Sequence, residues 1–378
     1  LTLDYLFLVV RKTFNCPCYS PYMNRERIVF NICILRHFIN NSLGLEREIH
    51  RTSGFELCES LLDSAAYNTY VETIGNKADT LYLRLREGLT EMGTYSYLDY
   101  IKRLSEKFDW KNKEFMLAFD YTDEDFYGKV QGFDIHGWKK SSPINGKFKF
   151  LTCSIVSDEI AQKIPLISLP IQMGHNMSYV VTHCLSLIKP HIGKIKLLLF
   201  DRGYYNKELM YDLIESKIPF LIFVPKHKNM KEILFPLEEG EKFTVIWDNK
   251  LNRDKSNFDF QYYLSFMKQI YSKKCDTNFN WVFATNVLIN LDEIIKTYRK
   301  RWRIETGFRV QDEARIKCKS TNMKIRYFFF LFQQMLQTQW VCFFKEEVSF
   351  KQYLVEMHRV GKDIVNNPNK KYEKTRKR

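Results

Sequence analysis

Two runs of apolar residues, each ending in an aspartate, place the strongest constraint on the fold of this chain. The run "FMLAFD" ends at Asp120, and "IKLLLFD" ends at Asp201. Neither run alternates with polar residues, which is typical of strands buried on both faces of a sheet that helices cover. Open α/β sheets bind their ligands at the carboxyl ends of the strands. The sequence therefore predicts an α/β sheet with both aspartates at that edge.

The segments around these runs follow an order typical of an α/β domain. After Asp120, "VQGFDIHGW" and "FKFLTCSIV" are predicted strands, and "GHNMSYVVTHCLSLIKP" is a predicted helix. After Asp201, a helix at "NKELMYDLIESK" precedes a strand at "PFLIFVP". This order indicates a mixed sheet with helices on its faces.

The regions on either side of this sheet have different patterns. Apolar residues recur at helical spacing between residues 24 and 108, with a turn at Gly75. That pattern fits a helix-turn-helix in which Lys77, Arg84 and Arg86 face DNA, and it fits a small helical bundle equally well. Residues 226–285 contain three strand-like segments, "KFTVIWD", "FQYYLSFM" and "NWVFATNV", and precede a helix that starts near Leu291.

These patterns predict five regions along the chain. They are an N-terminal helical region (1–108), the first part of the sheet domain (109–225), a β-rich insertion (226–285), the second part of the sheet domain (286–350) and a basic C-terminal tail (351–378).

Charge favours a polyanionic partner. The chain has 58 Lys and Arg residues against 44 Asp and Glu residues, which gives a net charge of +14. Lys and Arg gain affinity by releasing counterions from phosphate backbones, although a basic protein without such a partner is the alternative. The nine cysteines form no metal-binding grid. The apolar stretches are too short or too interrupted to predict a membrane segment, so we expect a cytoplasmic protein.

The stretch "YRKRWRIETGFRVQDEARIK" at residues 298–317 is a predicted helix with a polar face. Its spacing places Tyr298, Arg301, Glu305 and Asp312 on one side. An exposed pair of Arg301 and Glu305 is one interpretation, although such a pair contributes only about 0.3 to 0.5 kcal/mol. The other is a third carboxylate beside the two aspartates, because divalent cations in phosphodiester chemistry prefer carboxylate oxygen.

Three motifs together resemble the IS4-like insertion-sequence transposases with a DDE site, in their archaeal form. "LAFDYTDEDFYGK" resembles the first-aspartate strand of that family, and "DRGYY" at 201–205 resembles its D-x-G-[YF] motif. Tyr298, Arg301 and Glu305 match its Y-(2)-R-(3)-E-(6)-K signature. The family's lysine position holds Asp312 here, with Lys317 nearby but out of register.

The resemblance implies a ribonuclease-H-like catalytic domain with an insertion before the last catalytic helix. Asp120, Asp201 and Glu305 would be the catalytic residues and would hold two Mg²⁺ or Mn²⁺ ions. Without cations, the pKa values of such crowded carboxylates should be raised. The partners would be the double-stranded DNA of the element's ends and of the target, bound by a homodimer. The predicted DNA-binding residues are Tyr298, Arg301, Arg202, Lys317, Arg84 and Arg86.

Several alternatives stay open at this point. Asp123 or Asp125 could replace Asp120 as the first acid, and Asp201 could be a turn or helix-capping residue. Trp247 or Trp281 could stack on a flipped base, although core packing is favoured for both. The predicted activity is cut-and-paste transposition. Its rivals are a ribonuclease-H-like nuclease that cuts without joining, and a decayed transposase that only binds DNA.

Overall fold

The chain divides into two compact units, a helical unit and a sheet unit. The computed structural model describes residues 24–44, 54–73, 78–88, 90–130, 132–137, 143–157, 163–273 and 276–367. One unit joins Leu1–Tyr100 to Arg309–Arg378, and the other comprises Ile101–Phe308. Gly75, Lys77 and residues 368–378 of the predicted tail lie outside the described residues.

The described residues of the sheet unit form nine strands in one mixed sheet. The strands are β1 (Glu114–Phe126), β2 (His136–Gly137), β3 (Gly146–Ile155), β4 (Ile164–Ile171), β5 (Lys194–Phe200), β6 (Phe220–Phe223), β7 (Lys242–Arg253), β8 (Ser256–Ser272) and β9 (Thr277–Thr285). Their order is β2-β3-β1-β5-β6-β9-β8-β7, and β4 also pairs with β3. Strands β1, β5 and β6 are mutually parallel neighbours, whereas β3 and β9 run antiparallel to them. The predicted mixed sheet is confirmed.

The two apolar runs form the centre of this sheet. Phe115, Leu117 and Phe119 alternate along β1 with Met116 and Ala118, and all five are buried, so both faces of the strand are covered. One detail of the prediction was wrong: β1 does not end at Asp120 but continues to Phe126. Strand β4 was not predicted, because Pro165 and Pro170 interrupt its sequence. Proline is tolerated on edge strands, and β4 pairs with β3 alone among the described strands.

The predicted insertion extends the sheet instead of forming a separate module. It begins with helix α7 (Lys228–Leu234) and continues with β7, β8 and β9, where the sequence predicted three strands. Strand β9 pairs with β6 and β8 pairs with β9, so the long β7–β8 hairpin forms one edge of the same sheet. The chain then returns through helix α8 (Leu291–Arg299), which starts at the predicted position.

Helices of the sheet unit connect the strands. They are α5 (Met177–Ile188), α6 (Lys207–Glu215), α7 and α8, with the end of α4 (Thr90–Phe108) and most of α9 (Trp302–Gln311). The predicted single helix at 298–317 was wrong, because α8 and α9 are separated at Lys300 and Arg301. There the backbone N–H of Arg301 donates to the carbonyl of Tyr298 at 2.9 Å, an i to i−3 turn tighter than an α-helix.

The helical unit is built from both ends of the chain. Its helices are α1 (Arg25–Leu43), α2 (Gly54–Tyr67), α3 (Ala78–Glu87), the first part of α4, the end of α9, α10 (Met323–Phe343) and α11 (Phe350–Asn366). The sequence assigned residues 286–350 to the sheet domain and 351–378 to a tail. Instead, the described residues from Arg309 to Asn367 lie in the helical unit, and α11 begins at a capping box formed by Ser349 and Gln352.

Helix α10 is buried around its whole circumference, including its glutamines. The Gln339 amide donates to the carbonyl of Asn31 at 3.0 Å and accepts from the Tyr353 hydroxyl at 2.8 Å, so its polar groups are satisfied inside the core. No helix in the described part of the chain has the length and apolar character needed to span a membrane.

Candidate active site

Sheet register brings the two predicted aspartates together. Ala118 of β1 lies beside Leu199 of β5 in the last parallel pair. Two residues further along the chain are Asp120, still within β1, and Asp201, an extended residue that directly follows β5; side chains two apart in extended backbone project from the same face. The pair is therefore fixed by the hydrogen bonds of two central strands, which makes its position rigid.

Glu305 joins this pair through one arginine. Nη1 of Arg301 donates to Oδ2 of Asp120 at 2.9 Å, and Nη2 donates to Oε1 of Glu305 at 2.8 Å. Arg301 is only 4% exposed, whereas the Glu305 side chain is half-buried. The interpretation of Glu305 as an exposed salt-bridge partner is therefore incomplete, because the same guanidinium also binds an acid from the centre of the sheet.

Tyr298 contacts the remaining acid. Its hydroxyl donates to Oδ1 of Asp201 at 3.4 Å, a long hydrogen bond. Its ring is buried against Phe283, with centroids 4.9 Å apart. Asp201 precedes a 3₁₀ turn, but its side chain makes no capping hydrogen bond there. The alternative that Asp201 is a capping residue therefore does not describe its contacts.

Burial and like charges raise the pKa of Asp120 to about 6. Burial is the main cause, and the charges of Asp201 and Glu305 add to it. Arg301 and the backbone N–H of Tyr121, which donates to Oδ1 at 2.9 Å, act in the opposite direction. The charges of Asp201 and Glu305 thus disfavour the charged form of Asp120, and the positive charge of Arg301 partly compensates for them.

The donor chemistry of this site fits a divalent metal. Asp120, Asp201 and Glu305 offer carboxylate oxygens from three separate elements, which is the ligand type that Mg²⁺ and Mn²⁺ prefer. Within the described residues, however, the three acids do not form a group whose ligand atoms all lie within 4.8 Å of one another. Arg301 lies between two of them, so tighter convergence on a cation requires its guanidinium to move.

The alternatives that the sequence left open for the first acid and for base stacking have contacts away from Arg301. Asp123 accepts a hydrogen bond from Lys147 Nζ at 3.1 Å, and Asp125 lies 3.9 Å from the same amine. Both therefore pair with a lysine of β3 and do not contact Arg301. Trp281 is buried in the aromatic core beside Phe283, in agreement with the packing interpretation. Trp247 is half-buried on β7.

The predicted DNA-binding residues have different surroundings. Arg202, Arg86 and Lys317 are exposed, and Arg84 is half-buried beside Glu87 at 3.7 Å. Tyr298 and Arg301 are buried against carboxylates, so a phosphate contact by either one remains a prediction that needs a rearrangement.

Lys317 is held by the helical unit. Its backbone N–H donates to the carbonyl of Thr69 at 3.0 Å, and its ammonium lies 5.9 Å from the Tyr70 ring centroid. Nearby, the Asn68 amide donates to the backbone carbonyl of Asp312 at 3.2 Å. The segment that carries the family's lysine position is therefore attached to the residues that follow α2.

Two lysines that follow β6, Lys226 and Lys231, were missed by the sequence analysis. Burial lowers the pKa of Lys226, and the positive charges of Arg202 and Lys231 lower it further. Arg202 directly follows Asp201, and Lys226 follows β6, the strand next to β5. The basic segment "PKHKNMK" at 225–231 is the sequence feature that could have indicated these lysines. These cations form a positive region at the edge of the sheet that carries Asp201.

One family model matches part of this chain. The family described as Transposase DDE domain matches residues 173–334, a segment that contains Asp201 and Glu305 but not Asp120. These findings support a DDE transposase.

One solved structure extends the likeness to the whole fold. It is described as "Cryo-EM structure of piggyBac transposase synaptic complex with hairpin DNA (SNHP)", with a TM-score of 0.55 and 12% sequence identity, over 93% of this chain and 83% of that chain. No curated protein matches the sequence of this chain. The likeness shows the fold, and the predicted ribonuclease-H-like class is confirmed.

Proposed function

We propose that this protein is a DNA transposase that cleaves the ends of an insertion sequence and joins them to target DNA. The observation that carries the proposal is that Arg301 joins Asp120 of β1 to Glu305 of α9, while Asp201, which follows β5, accepts a hydrogen bond from Tyr298 of α8. The family match over residues 173–334 supports it independently of these contacts. Within DDE transposases, the spacing of Tyr298, Arg301 and Glu305 supports an IS4-like member of archaeal type.

Asp120, Asp201 and Glu305 would hold two divalent ions, Mg²⁺ or Mn²⁺. When bound, such ions stabilise the attacking and leaving oxygens of a phosphodiester displacement. The chain's own contribution is to hold three carboxylates on rigid elements, two of them fixed by strand register. The hydroxyl of Tyr298 orients the carboxylate of Asp201.

Arg301 has two tasks in this proposal. In the absence of a cation, it neutralises Asp120 and Glu305 and keeps them near each other. A guanidinium that leaves these acids presents parallel N–H donors, which suit two oxygens of one phosphate. Arg301 would therefore exchange carboxylate partners for a DNA phosphate when the site is loaded.

Double-stranded DNA is the proposed partner, as transposon end and as target. The positive region formed by Arg202, Lys226 and Lys231 lies at the edge of the sheet that carries Asp201, where a phosphate backbone must approach the acids. The similar solved structure is a synaptic complex with hairpin DNA, and assembly of two copies on paired ends is part of the proposal. Such a DNA substrate implies a cytoplasmic protein that associates with the nucleoid.

A cleavage and joining assay tests the proposal. The substrate is a labelled duplex that carries the sequence flanking the gene, incubated with Mg²⁺ or Mn²⁺ and a supercoiled target. Asp120→Asn, Asp201→Asn and Glu305→Gln should each reduce product formation about 1,000-fold or more, because each removes a metal-binding oxygen. Asp125→Asn is the matched control, because Asp125 is an acid of the same strand that faces Lys147.

The products separate the rival functions. Cleaved ends joined to the target support transposition. Cleavage without joining indicates a ribonuclease-H-like nuclease. DNA binding without any metal-dependent product indicates a non-catalytic derivative. The sequence supports that alternative at Asp312, which stands where the family has a lysine.

A further inference from the structure

A second group of potential metal ligands lies in the helical unit, apart from the acids of the sheet. It consists of Glu59 and Asp63 of α2 and His358 of α11, and the ligand atoms of these residues all lie within 4.8 Å of one another. Glu59 and Asp63 are four residues apart, so they project from the same side of the helix. Among the described residues, this is the one group that meets that distance.

Hydrogen bonding does not account for the position of His358. The residue is 9% exposed, and its Nε2 atom is buried without a hydrogen bond among the described residues. Nε2 lies 3.6 Å from Oδ1 of Asp63 and 3.9 Å from Oε1 of Glu59, distances longer than hydrogen bonds. A buried ring nitrogen therefore points between two carboxylates without touching either one.

These distances resemble those between two ligands of the same ion. Ligand atoms about 2.0 to 2.1 Å from a tetrahedral zinc ion are about 3.4 Å from each other. A contraction of about 0.2 to 0.5 Å would bring Nε2 to that spacing from each carboxylate oxygen, and the two oxygens already lie within 4.8 Å of each other. The Glu59 and Asp63 side chains are 20% and 21% exposed, so solvent can supply the remaining ligand.

The packing of the two helices already holds α2 and α11 close together beside the ligand group. Helix α11 approaches α2 closely at Gly361, where an added Cβ would lie 3.2 Å from Cδ1 of Leu62. Leu62 and Gly361 are each within three residues of the ligand group. The Tyr67 ring contacts the His358 imidazole edge-on, with centroids 5.5 Å apart, and limits its rotation.

We propose that Glu59, Asp63 and His358 bind a divalent transition-metal ion that connects α2 to α11. An imidazole with two carboxylates favours zinc or manganese over magnesium or calcium, which prefer oxygen ligands alone. The site is separate from the proposed catalytic metals, and its role is to stabilise the helical unit by linking segments from the two ends of the chain.

The test uses full-length protein with Asp120→Asn and Asp201→Asn, so that the sheet unit contributes little metal binding. After chelator treatment, the protein receives one equivalent of zinc or of cobalt. We expect about one zinc per chain after gel filtration, visible cobalt absorption, and a rise in Tm of about 5 °C at saturating zinc. Adding His358→Ala should abolish all three effects.

The control is His37→Ala. His37 belongs to the same unit, and its Nε2 lies 3.8 Å from a carboxylate oxygen of Asp99. Among the described residues, however, His37 is not part of a group of three potential metal ligands. This variant should bind zinc as the parent does. Asp63→Asn provides a second test if His358→Ala does not fold. Equal zinc retention in the parent, His358→Ala and Asp63→Asn, or no zinc in any of them, would overturn the proposal. Failure of the native protein to cleave DNA would not affect this zinc-site proposal, because zinc retention, cobalt absorption and Tm do not depend on catalysis.

Discussion

Arg301 and Asp120 form a buried ion pair at 2.9 Å, although one follows helix α8 and the other lies in the first strand of the sheet. Removing one member of a buried pair leaves the other charge without compensation. Because Arg301 also binds Glu305, it acts as the internal cation of a site whose other members are acidic. The proposed metals and Arg301 therefore compete for the same oxygens.

This competition predicts a metal-dependent effect of Arg301→Ala. In chelator, the variant should lose about 3 to 5 kcal/mol of unfolding free energy, since it loses two hydrogen bonds to charged groups and leaves Asp120 without its partner. Manganese should restore more stability to the variant than to the native protein. Thermal unfolding with and without manganese measures the difference.

Arg303→Ala is the control for that experiment. Arg303 is two residues away, and its Nη1 donates to the carbonyl of Val156 at 2.9 Å, so it carries the same charge without contacting the acids. An equal manganese effect in Arg301→Ala and Arg303→Ala would contradict competition at the site.

The raised pKa of Asp120 predicts a pH-dependent stability. The carboxyl pKa is about 6 in the folded protein and 3.8 as its ordinary value, so the folded state binds more protons between these values. Stability from this group is complete below about pH 4 and is lost as pH rises through about 6. The loss, on the order of 3 kcal/mol, should be absent in Asp120→Asn. Urea unfolding in chelator from pH 4 to 7 tests this, and parallel curves for the two proteins would refute it.

Two substitutions of Tyr298 distinguish the contribution of its ring packing from that of its hydroxyl hydrogen bond. Tyr298→Phe should cost less than about 1 kcal/mol, because the 3.4 Å bond to Asp201 is long and the ring keeps its neighbours. Tyr298→Ala should cost about 3 to 5 kcal/mol through the cavity that it leaves. Chemical denaturation measures both. Equal losses would mean that the hydroxyl, and not the ring, is the main contact.

Salt dependence tests the positive region at the sheet edge. Arg202→Ala should reduce the slope of log binding constant against log salt by about 1, as expected for the loss of one phosphate contact. Arg253→Ala is the matched control, because acids already neutralise Arg253: Asp212 at 2.9 Å and Glu208 at 3.0 Å. Fluorescence anisotropy across a salt series gives the slopes, and the same slope for Arg202→Ala and the native protein would remove Arg202 from the interface.

The sequence predicted those parts of the fold that local patterns determine. Continuous apolar runs identified β1 and β5, and the register of these strands brings Asp120 and Asp201 side by side. Strand β4 was missed because its two prolines argue against a strand, and only its place at an edge makes them acceptable. The break at Lys300 and Arg301 was missed because no glycine or proline marks it.

Other features depend on contacts between distant parts of the chain. Whether Arg301 faces solvent or carboxylates is decided by the strands that pack against it, which its own segment does not encode. The helical unit joins both ends of the chain, so the predicted boundaries at 108 and 350 differ from the division at Tyr100 and Arg309. For the same reason, His358 could not be associated with Glu59 and Asp63 from sequence spacing.

The pairing of β9 with β6 has a consequence for how such chains can diverge. The chain between these strands forms α7 and the β7–β8 hairpin, which extends the same sheet beyond β9, and α8 starts only after β9. The β7–β8 hairpin can therefore grow, shrink or acquire new surface residues while Glu305 keeps its position. Such changes at the hairpin would leave Glu305 on α9 in place, because the chain re-enters the sheet at β9 before α8 and α9 begin.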